Sequence, residues 1–278
     1  MTLPYLSADD VAQRLGPAEA TEALEVALRA GLDPESEPVR GIVDVAHGQL
    51  LVMPSAAARR PVVKLVTVGG EPRVQGVCVV FDAGTLTPVA LVDGIALTNL
   101  RTPAVSALAV RRLAVDAARR LLVFGRGPQA HAHVAAMRAV RPIDHVDMVG
   151  RDRGDVSALV AAADVVCCCT TAREPLFDGA LVADHATVVA IGSHEPSARE
   201  VDDALAHRAT VVVESRVSAL REAGDVIAAG IPEADLVTLA DVVRGRAVDR
   251  GRPRLFKSTG MAWEDAVVAS AVVARASG

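Results

Sequence analysis

The segment that most constrains the fold runs from Leu121 to Ala130. Four apolar residues lead directly into Gly-Arg-Gly-Pro-Gln-Ala, and a helical pattern follows. In that setting Gly125 permits a tight turn, Gly127 lets the backbone approach a pyrophosphate, and the small Ala130 lets strand and helix pack closely. The first N–H groups of the helix then offer partial positive charge to phosphates. We predict a buried strand, a dinucleotide-binding turn and a helix; an ordinary glycine-rich turn is the alternative.

The residues after Arg101 alternate between short apolar strands and helix-length stretches. Such alternation predicts a parallel sheet with helices on both faces. The predicted strands are Leu121–Phe124, Val146–Val149, Val165–Cys169, Thr187–Ile191 and Thr210–Val213. The predicted helices are Ser106–Leu113, Pro128–Val140, Asp155–Ala163, Ala198–His207 and Ser218–Gly224, and a strand-like Arg254–Lys257 precedes a last helix, Met261–Ala276.

Residues 39–100 have a different pattern. Runs rich in β-branched residues alternate there with Gly, Pro and Asp, which predicts an antiparallel sheet. The runs are Gly41–Val45, Leu50–Met53, Val62–Val68, Val77–Phe81 and Val89–Val92. A length of 278 residues suits two compact lobes.

The composition excludes several classes of protein. Hydrophobic residues make up 51% of the chain and aromatic residues only 2%, so a chain disordered throughout is excluded. The net charge is −5, with basic and acidic residues interspersed, which argues against nucleic acid as a partner. No apolar run is long enough to cross a bilayer, and the N-terminal residues lack the pattern of a signal peptide. We therefore expect a cytoplasmic protein without a membrane partner.

The cysteines, Cys78 and the run Cys167–Cys169, lack the spacing of a zinc site or of a disulfide framework. Neighbouring side chains on a strand point to opposite faces, so the run does not easily converge on one metal ion. We interpret the cysteines as small apolar core residues and predict no metal site.

The choice of coenzyme depends on the end of the second parallel strand. A carboxylate there would bind the ribose hydroxyls of the adenosine, whereas this sequence has Gly150 and then Arg151. Asp147 lies inside the strand, too early for that role. An arginine favours a 2′-phosphate, so we predict NADP, with NAD as the second choice. The alternative is that Arg151 and Arg153 are solvated loop charges.

Short segments along nearly the whole chain are similar to one known family. They are Pro38–Arg40, Met53–Pro54, Val63–Leu65, Leu97–Ala107, the Gly125 turn with Gln129–Ala130, Cys169–Pro175, Ile191–His194, Arg199–Asp202 and Phe256–Gly260. In this order and spacing the sequence resembles the ornithine cyclodeaminase and mu-crystallin family. That family includes an ornithine cyclodeaminase, alanine dehydrogenases, ketimine reductases and other imine-reducing enzymes.

The resemblance implies a homodimer whose subunit has two lobes. Both chain ends, 1–113 and 254–278, would form a substrate-binding and dimerisation domain. Residues 114–253 would form an NAD(P)-binding Rossmann domain inserted between them. The expected fold class is thus α/β, with a Rossmann dinucleotide-binding domain inserted in an α+β domain.

The resemblance also implies that Arg40, Lys64 and Arg101 face the substrate. A guanidinium is the best bidentate partner for the carboxylate of an amino or imino acid. Lys64 interrupts an apolar strand, where an unpaired charge would be costly. The alternatives are a surface arginine for Arg40 and a solvated helix start for Arg101.

Coenzyme contacts follow mainly from the resemblance. Thr170, at the end of the third parallel strand, also fits the rule that ligands lie outside the carboxyl ends of such strands. A turn threonine with satisfied hydrogen bonds is the alternative. The predicted coenzyme-binding residues are Thr102, Gly125, Gly127, Pro128, Gln129, Ala130, Arg151, Thr170, Ser258 and Gly260.

Two departures from the family pattern bear on the reaction. Cyclodeaminases have a catalytic aspartate where this sequence has His194, which lowers the prospect of ornithine deamination. A histidine donates a proton near neutral pH and suits imine reduction, while capping of the following helix is an equal alternative. The segment Thr67–Gln75 is shorter than the corresponding loop of the family, which borders the active site in relatives, and it lacks the asparagine of that loop. The resemblance therefore does not define the size or the identity of the substrate. The scarcity of aromatic residues argues against a large planar ligand.

We therefore predict an NAD(P)H-dependent oxidoreductase that transfers hydride to the C=N carbon of a small imino acid, as a ketimine reductase or an amino-acid dehydrogenase does. Lys64 and His194 are the candidate catalytic residues. One alternative is an ammonia lyase of the ornithine cyclodeaminase type that uses bound NAD+. The other is a non-catalytic protein that binds NADPH and a small ligand.

Overall fold

The computed structural model describes residues 3–152 and 154–275. Its strands are β1 Tyr5–Leu6, β2 Gly41–Val45, β3 Gly48–Ser55, β4 Val62–Gly69, β5 Val74–Phe81, β6 Pro88–Asp93, β7 Arg120–Phe124, β8 His145–Val149, β9 Val165–Cys168, β10 Thr187–Ala190, β11 Thr210–Val213, β12 Val237–Thr238 and β13 Arg254–Lys257. Its α-helices are α1 Ala8–Arg14, α2 Pro17–Arg29, α3 Gly94–Leu113, α4 Pro128–Val140, α5 Ser157–Ala162, α6 Asp203–Arg208, α7 Arg216–Glu222, α8 Gly224–Ala228, α9 Leu239–Val243 and α10 Ala262–Ala274. Short 3-10 turns cover Pro34–Ser36, Gly179–Leu181 and Glu233–Asp235.

The chain divides into two compact units. Unit 1 comprises the described residues of Met1–Ala104 and of Met261–Gly278, and unit 2 comprises those of Val105–Gly260. The boundaries that we predicted, after residue 113 and before residue 254, differ from these. The end of α3 belongs to unit 2, where Arg254 Nε donates to the carbonyl oxygen of Leu113. β13 pairs with β10 and β11, so the segment after residue 253 first completes the sheet of unit 2.

Unit 1 is built on a six-stranded sheet with the order β1-β6-β5-β4-β3-β2. β2 to β6 pair antiparallel, as the pattern of residues 39–100 predicts, and the short β1 pairs parallel with β6. α10 packs on β3, β4 and β5, and most of its residues are buried. On β4 the alternate residues Val62, Lys64 and Val66 are buried. Lys64 therefore stands in an apolar row of the sheet.

α3 begins at Gly94, earlier than the predicted start at Ser106. Asp93 caps its first turn, because Asp93 Oδ1 accepts the N–H groups of Ile95 and Ala96. Pro103 lies inside this helix, and a proline usually marks the end of a helix in a sequence. Arg101 therefore lies within the helix at 6% exposure, so the alternative of a solvated helix start is wrong.

Unit 2 contains a parallel sheet with the order β12-β11-β13-β10-β9-β7-β8. β7 to β11 agree with the predicted strands to within one residue at each end. All residues of β9 and β10 are buried, as expected of a sheet with both faces covered. Cys168 belongs to the hydrophobic core of this unit.

The helices of unit 2 agree less closely with the sequence pattern. α4 has the predicted bounds, whereas α6 is shorter than the predicted Ala198–His207. Asp202 caps α6, since its Oδ1 accepts the N–H of Leu205, and this cap fixes the start. β12, α8 and α9 were not predicted. Arg153 and Ala276 lie outside the described residues.

Among the residues that the structure describes, none of the helices is long and apolar enough to span a membrane.

Candidate active site

The predicted phosphate-binding turn lies between β7 and α4. Gly125 has a φ of +116°, and a Cβ there would lie 2.5 Å from the carbonyl oxygen of Cys169, so only glycine fits. A Cβ built on Gly127 meets nothing within 4 Å, so the missing side chain leaves open space beside the turn. Ala130 is completely buried. The turn thus combines a tight bend with an accessible stretch of backbone.

The N-terminus of α4 adds an electrostatic feature to this turn. The helix begins at Pro128 with Gly127 as its N-cap, and within the described chain no side chain caps it. A proline has no N–H, so the donors of the first turn are those of the residues after it. These groups and the helix dipole favour an anion. The N–H groups at the start of α4 and the open space beside Gly127 together fit the pyrophosphate of a dinucleotide.

The strand order places the turn at a switch point of the parallel sheet. β8 pairs with one edge of β7, and β9 pairs with the other edge. In open parallel sheets the ligand crevice forms outside the carboxyl ends of the strands at such a point. Gly125, Gly150 and Cys169 directly follow the three strands concerned. The sheet topology therefore supports a dinucleotide site at this edge of unit 2.

Thr170 lies at this edge, just beyond the end of β9. Its N–H and its hydroxyl both donate to Glu200 Oε1, at 2.9 and 2.7 Å. Its Oγ1 also accepts the N–H of Ala172 at 3.1 Å. These contacts agree with a turn threonine whose hydrogen bonds are satisfied, and they fix the backbone where β9 ends.

The segment Ser258–Gly260 follows β13 at the same edge of the sheet. Ser258 Oγ donates to Glu214 Oε1 at 2.7 Å. The N–H groups of Thr259 and Gly260 donate to Glu214 Oε2, at 3.0 and 3.1 Å. Glu214 is 2% exposed, so a buried carboxylate holds this segment. Sequence reasoning missed Glu214.

Two exposed arginines stand beyond the ends of β7 and β8. Arg126 Nη1 lies 3.7 Å from Asp152 Oδ1, and Arg151 Nη2 donates to Thr171 Oγ1 at 3.3 Å. Asp147 lies inside β8, as expected, where its Oδ2 is 3.0 Å from His145 Nε2. Arginines at this point of a dinucleotide fold suit a 2′-phosphate.

His194 lies in the loop after β10 and is partly buried. α6, the next helix, begins only at Asp203 and is capped by Asp202. The alternative that His194 caps the following helix is therefore wrong.

The predicted substrate-binding residues belong to unit 1. Lys64 is 1% exposed, and its Nζ lies 2.8 Å from each carboxylate oxygen of Asp265 on α10. A longer contact of 3.4 Å joins Nζ to Thr98 Oγ1 on α3. A strand and two helices of unit 1 thus hold one buried ammonium group.

Arg101 completes a cluster of four charges, which we call the charge cluster: Lys64, Arg101, Glu264 and Asp265. Arg101 Nη1 donates to Glu264 Oε2 at 2.6 Å, and its Nε lies 3.3 Å from Asp265 Oδ1. Burial of these groups is tolerated because each cation lies against a carboxylate. Thr102, the next residue, is buried on α3 at 7% exposure.

Lys64 differs chemically from the arginine beside it. Burial lowers the pKa of Lys64; the charge of Asp265 opposes this shift, and that of Arg101 adds to it. A lysine with a lowered pKa gives up its proton more readily than an exposed one, whereas an arginine does not deprotonate in a protein. Lys64 is therefore the member of the charge cluster suited to donate a proton.

Arg40 lies directly before β2 and is partly exposed. Gly41 pairs with Val52, and Met53 pairs with Lys64. If this register is extended by one residue, Arg40 stands beside Met53 and on the same face of the sheet as Lys64. Neighbouring strands lie about 4.8 Å apart, so this extension would put the Cα atoms of Arg40 and Lys64 about 10 Å apart, with β3 between them. All three predicted cations therefore belong to unit 1.

Sequence reasoning missed both carboxylates of the charge cluster, although a signal existed. Glu264 and Asp265 stand in a helix of otherwise apolar and small residues, as Lys64 stands in an apolar strand. Buried charges require partners. A lone lysine in one apolar element and acidic residues in another apolar element therefore predict an ion pair between them.

Comparison with known proteins gives the family. The model of the ornithine cyclodeaminase/mu-crystallin family matches residues 5–158 and 153–278. The chain belongs to this family. The resemblance inferred from short motifs is thus confirmed, and so is the α/β fold with a Rossmann domain.

Relatives within the ornithine cyclodeaminase/mu-crystallin family match over most of their length. The ketimine reductase mu-crystallin of Rattus norvegicus is 35% identical, over 96% of this chain and 96% of its own. The Delta(1)-pyrroline-2-carboxylate reductase of Colwellia psychrerythraea is 35% identical, over 69% of this chain and 71% of its own. The solved structure of Thermococcus litoralis Delta(1)-pyrroline-2-carboxylate reductase in complex with NADH and L-proline has a TM-score of 0.92 and 26% identity, covering 99% of this chain and 97% of that one.

Proposed function

We propose that this protein is an NAD(P)H-dependent reductase of small cyclic imino acids of the Delta(1)-pyrroline-2-carboxylate type. The observation that carries the proposal is the buried ammonium of Lys64, held beside Arg101 in the charge cluster. The relatives named as ketimine and Delta(1)-pyrroline-2-carboxylate reductases support the reaction class. The complex of one such relative with NADH and L-proline supports a substrate of this size.

The charges of unit 1 support the binding of one carboxylate. Glu264 and Asp265 balance Lys64 and Arg101, so these four side chains are neutral together. If the register of β2 is extended by one residue, Arg40 is a third cation on the same face of the sheet. A substrate of the proposed class carries one carboxylate, and a guanidinium binds a carboxylate in bidentate fashion. We assign substrate binding to Arg40, Lys64 and Arg101.

The proton in the proposed reaction comes from Lys64. Reduction adds a hydride to the imine carbon and a proton to the imine nitrogen, so that C=N becomes CH–NH. When bound, the nicotinamide coenzyme supplies the hydride. The ammonium of Lys64 donates the proton and becomes a neutral amine, which is eased by the lowered pKa that burial gives it. Asp265 keeps Lys64 protonated until the transfer and holds its Nζ in place. His194 remains proposed as a second proton-carrying residue.

The turn at Gly125–Ala130 would hold the coenzyme pyrophosphate, with Gln129 in the first turn of α4. Thr102, Thr170, Ser258 and Gly260 are proposed near the coenzyme by their match to the family. Arg151 would bind the 2′-phosphate of NADP, which we propose as the preferred coenzyme.

We further propose a homodimer formed through β2. This strand lies at one end of the sheet of unit 1, and all of its residues are exposed. Its apolar side chains Ile42, Val43 and Val45 are 43%, 51% and 47% exposed. An edge strand with exposed apolar residues pairs readily with another strand unless it is covered. A second copy of β2 would pair with it about a two-fold axis.

The cytoplasmic location of the protein stays a prediction.

The decisive experiment measures oxidation of NADPH and NADH by Delta(1)-pyrroline-2-carboxylate and Delta(1)-piperideine-2-carboxylate at mildly acidic pH. We expect turnover with at least one imine. Coenzyme binding without turnover by any imine, or by any keto acid with amine, would support the non-catalytic alternative. Ammonia release from ornithine without net use of coenzyme would support the lyase.

A further inference from the structure

Lys257 is the second of only two lysines in the sequence, and it is as deeply buried as Lys64. It ends β13. Its Nζ lies 2.8 Å from Asp225 Oδ2 on α8 and donates to the carbonyl oxygen of Ser193 at 2.8 Å. Ser193 directly precedes His194 in the loop after β10. One ammonium therefore joins a strand, a helix and a loop inside unit 2.

Glu200 extends this arrangement to the ends of two parallel strands. Its Oε1 accepts the N–H and hydroxyl of Thr170, and its Oε2 accepts the N–H of Gly192 at 2.7 Å. The N–H of Glu200 donates to Asp225 Oδ1 at 2.6 Å. A Cβ at Gly192 would collide with the Glu200 carboxylate. We call Lys257, Asp225 and Glu200 the buried triad.

We infer that Lys257 and Glu200 are positioning residues for the coenzyme site. Through the buried triad they fix Thr170 and the segment 192–194 at the carboxyl edge of the parallel sheet. The inference rests on the proposed function and adds to it residues that need touch neither coenzyme nor substrate. It also explains why two acidic residues and a lysine are completely buried at this place in unit 2.

The hydrogen bonds of Glu200 favour its ionised form. All three groups that contact its carboxylate are donors: two N–H groups and a hydroxyl. A protonated carboxyl carries its own O–H, so either one of the N–H donors loses its acceptor or the Thr170 hydroxyl must turn to accept instead of donate. Protonation of Glu200 therefore loosens the end of β9 or of β10.

The titration of Glu200 falls near neutral pH. Burial raises its pKa to about 7, although Lys257 and the hydrogen-bond donors favour the carboxylate. Burial opposes ionisation of Asp225 as well, but Lys257 and two N–H groups outweigh it and lower the pKa of Asp225. Burial raises the pKa of each thiol of Cys167–Cys169 well above its usual value, so these thiols near Glu200 stay neutral. Glu200 is thus the member of the buried triad that responds between about pH 6 and pH 8.

The test is the affinity for NADH as a function of pH, measured by fluorescence titration without substrate. NADH is used because the 2′-phosphate of NADPH itself titrates near pH 6. For the unmodified protein we expect the Kd to rise about fivefold from about pH 8 to about pH 6, the effect of one lost hydrogen bond. Glu200→Gln should remove this pH dependence and bind NADH weakly throughout.

Two further variants sharpen the test. Lys257→Met removes the charge that favours the Glu200 carboxylate, so the inflection should move to higher pH. Glu222→Gln changes another buried glutamate of unit 2, on α7 at 5% exposure, and should keep the inflection of the unmodified protein. Thermal unfolding at about pH 8 establishes that each variant is folded. If Lys257→Met does not fold, the comparison of Glu200→Gln with Glu222→Gln decides the question.

Three outcomes overturn the inference: NADH binding that does not depend on pH in the unmodified protein, an inflection that survives in Glu200→Gln, or one that disappears in His194→Gln. Failure of the unmodified protein to bind NADH or NADPH at any pH contradicts the proposed function instead. The two kinds of failure are therefore distinguishable.

Discussion

Lys64 Nζ lies 2.8 Å from both carboxylate oxygens of Asp265, a residue 201 positions later in the chain. The pair joins β4 to α10 and so connects the two chain segments of unit 1. The side chains are 2% and 0% exposed, so water screens neither charge. Each charge depends on the other for its stability in this position.

Removal of one partner should therefore cost more stability than removal of both. We expect Asp265→Leu to lower the free energy of unfolding by about 3 kcal/mol, because it leaves a buried ammonium without its nearest carboxylate. Lys64→Met should have a similar effect, and the double variant should be more stable than either single one. Urea denaturation of the four proteins forms a double-mutant cycle. Losses that simply add would contradict the coupling.

Lys64 and Arg101 should differ in the kinetic constant that they control. Lys64→Arg keeps the positive charge but removes an acid of suitable pKa, so we expect kcat to fall by about 100-fold or more. Arg101→Lys keeps a charge but loses bidentate geometry, so we expect KM for the imino acid to rise about tenfold with little change in kcat. Neither variant should change the Kd of the coenzyme. Equal losses of kcat in both would contradict these separate roles.

Local sequence patterns predicted those parts of the fold that depend on local interactions. The turn at Gly125 and the bounds of α4 follow from glycine geometry, from a proline at the first helical position and from apolar periodicity. β13 was predicted as a strand, but its place between β10 and β11 was not, because strand order is set by tertiary packing. The start of α3 was missed because Pro103 masked a helix that is stabilised by its own cap and by burial.

The site was predicted unevenly for the same reason. Lys64 and Arg101 were found through their motifs, and the structure brings them together. Their partners, Glu264 and Asp265, were missed because they are distant in sequence. Glu200 lies in a segment that we quoted for its resemblance, yet its role depends on Thr170 and Gly192, which the fold brings to it.

Arg151 should determine the preference between the coenzymes. Arg151→Asp places a carboxylate where it repels a 2′-phosphate and accepts ribose hydroxyls, so we expect the ratio of kcat/KM for NADPH over NADH to fall at least about tenfold. Steady-state kinetics with both coenzymes measures this ratio. Arg138→Asp makes the same charge change on the exposed side of α4 and serves as the control. An unchanged ratio would show that Arg151 is an ordinary loop charge.

The exposed strand β2 should be necessary for the dimer. The double variant Ile42→Lys and Val43→Lys places charges on both faces of the edge strand, which opposes strand pairing. We expect the mass measured by light scattering to fall from that of a dimer to that of a monomer. Val217→Lys changes a valine that is 53% exposed on α7 and should leave the mass unchanged. A monomeric unmodified protein, or a dimeric double variant, would contradict the proposed interface.

His133 should support the phosphate-binding turn from inside unit 2. It is completely buried on α4, with Nδ1 2.8 Å from the carbonyl oxygen of Gln129 and Nε2 2.9 Å from Ser106 Oγ. Burial lowers its pKa to about 4, so the ring is neutral at physiological pH. We assign the proton to Nδ1, which then donates to the carbonyl group, while Nε2 accepts from the hydroxyl.

Loss of both contacts should loosen the first turn of α4 and weaken coenzyme binding. We expect His133→Phe to lower the free energy of unfolding by about 2 kcal/mol, because it leaves buried polar groups without these partners, and to raise the Kd for NADPH severalfold. His133→Asn keeps a donor near the position of Nδ1 and should recover part of the affinity, whereas Ser106→Ala should change it little. Calorimetry on the three variants measures both quantities. If His133→Phe loses stability but binds NADPH with unchanged affinity, His133 stabilises the fold without supporting the turn.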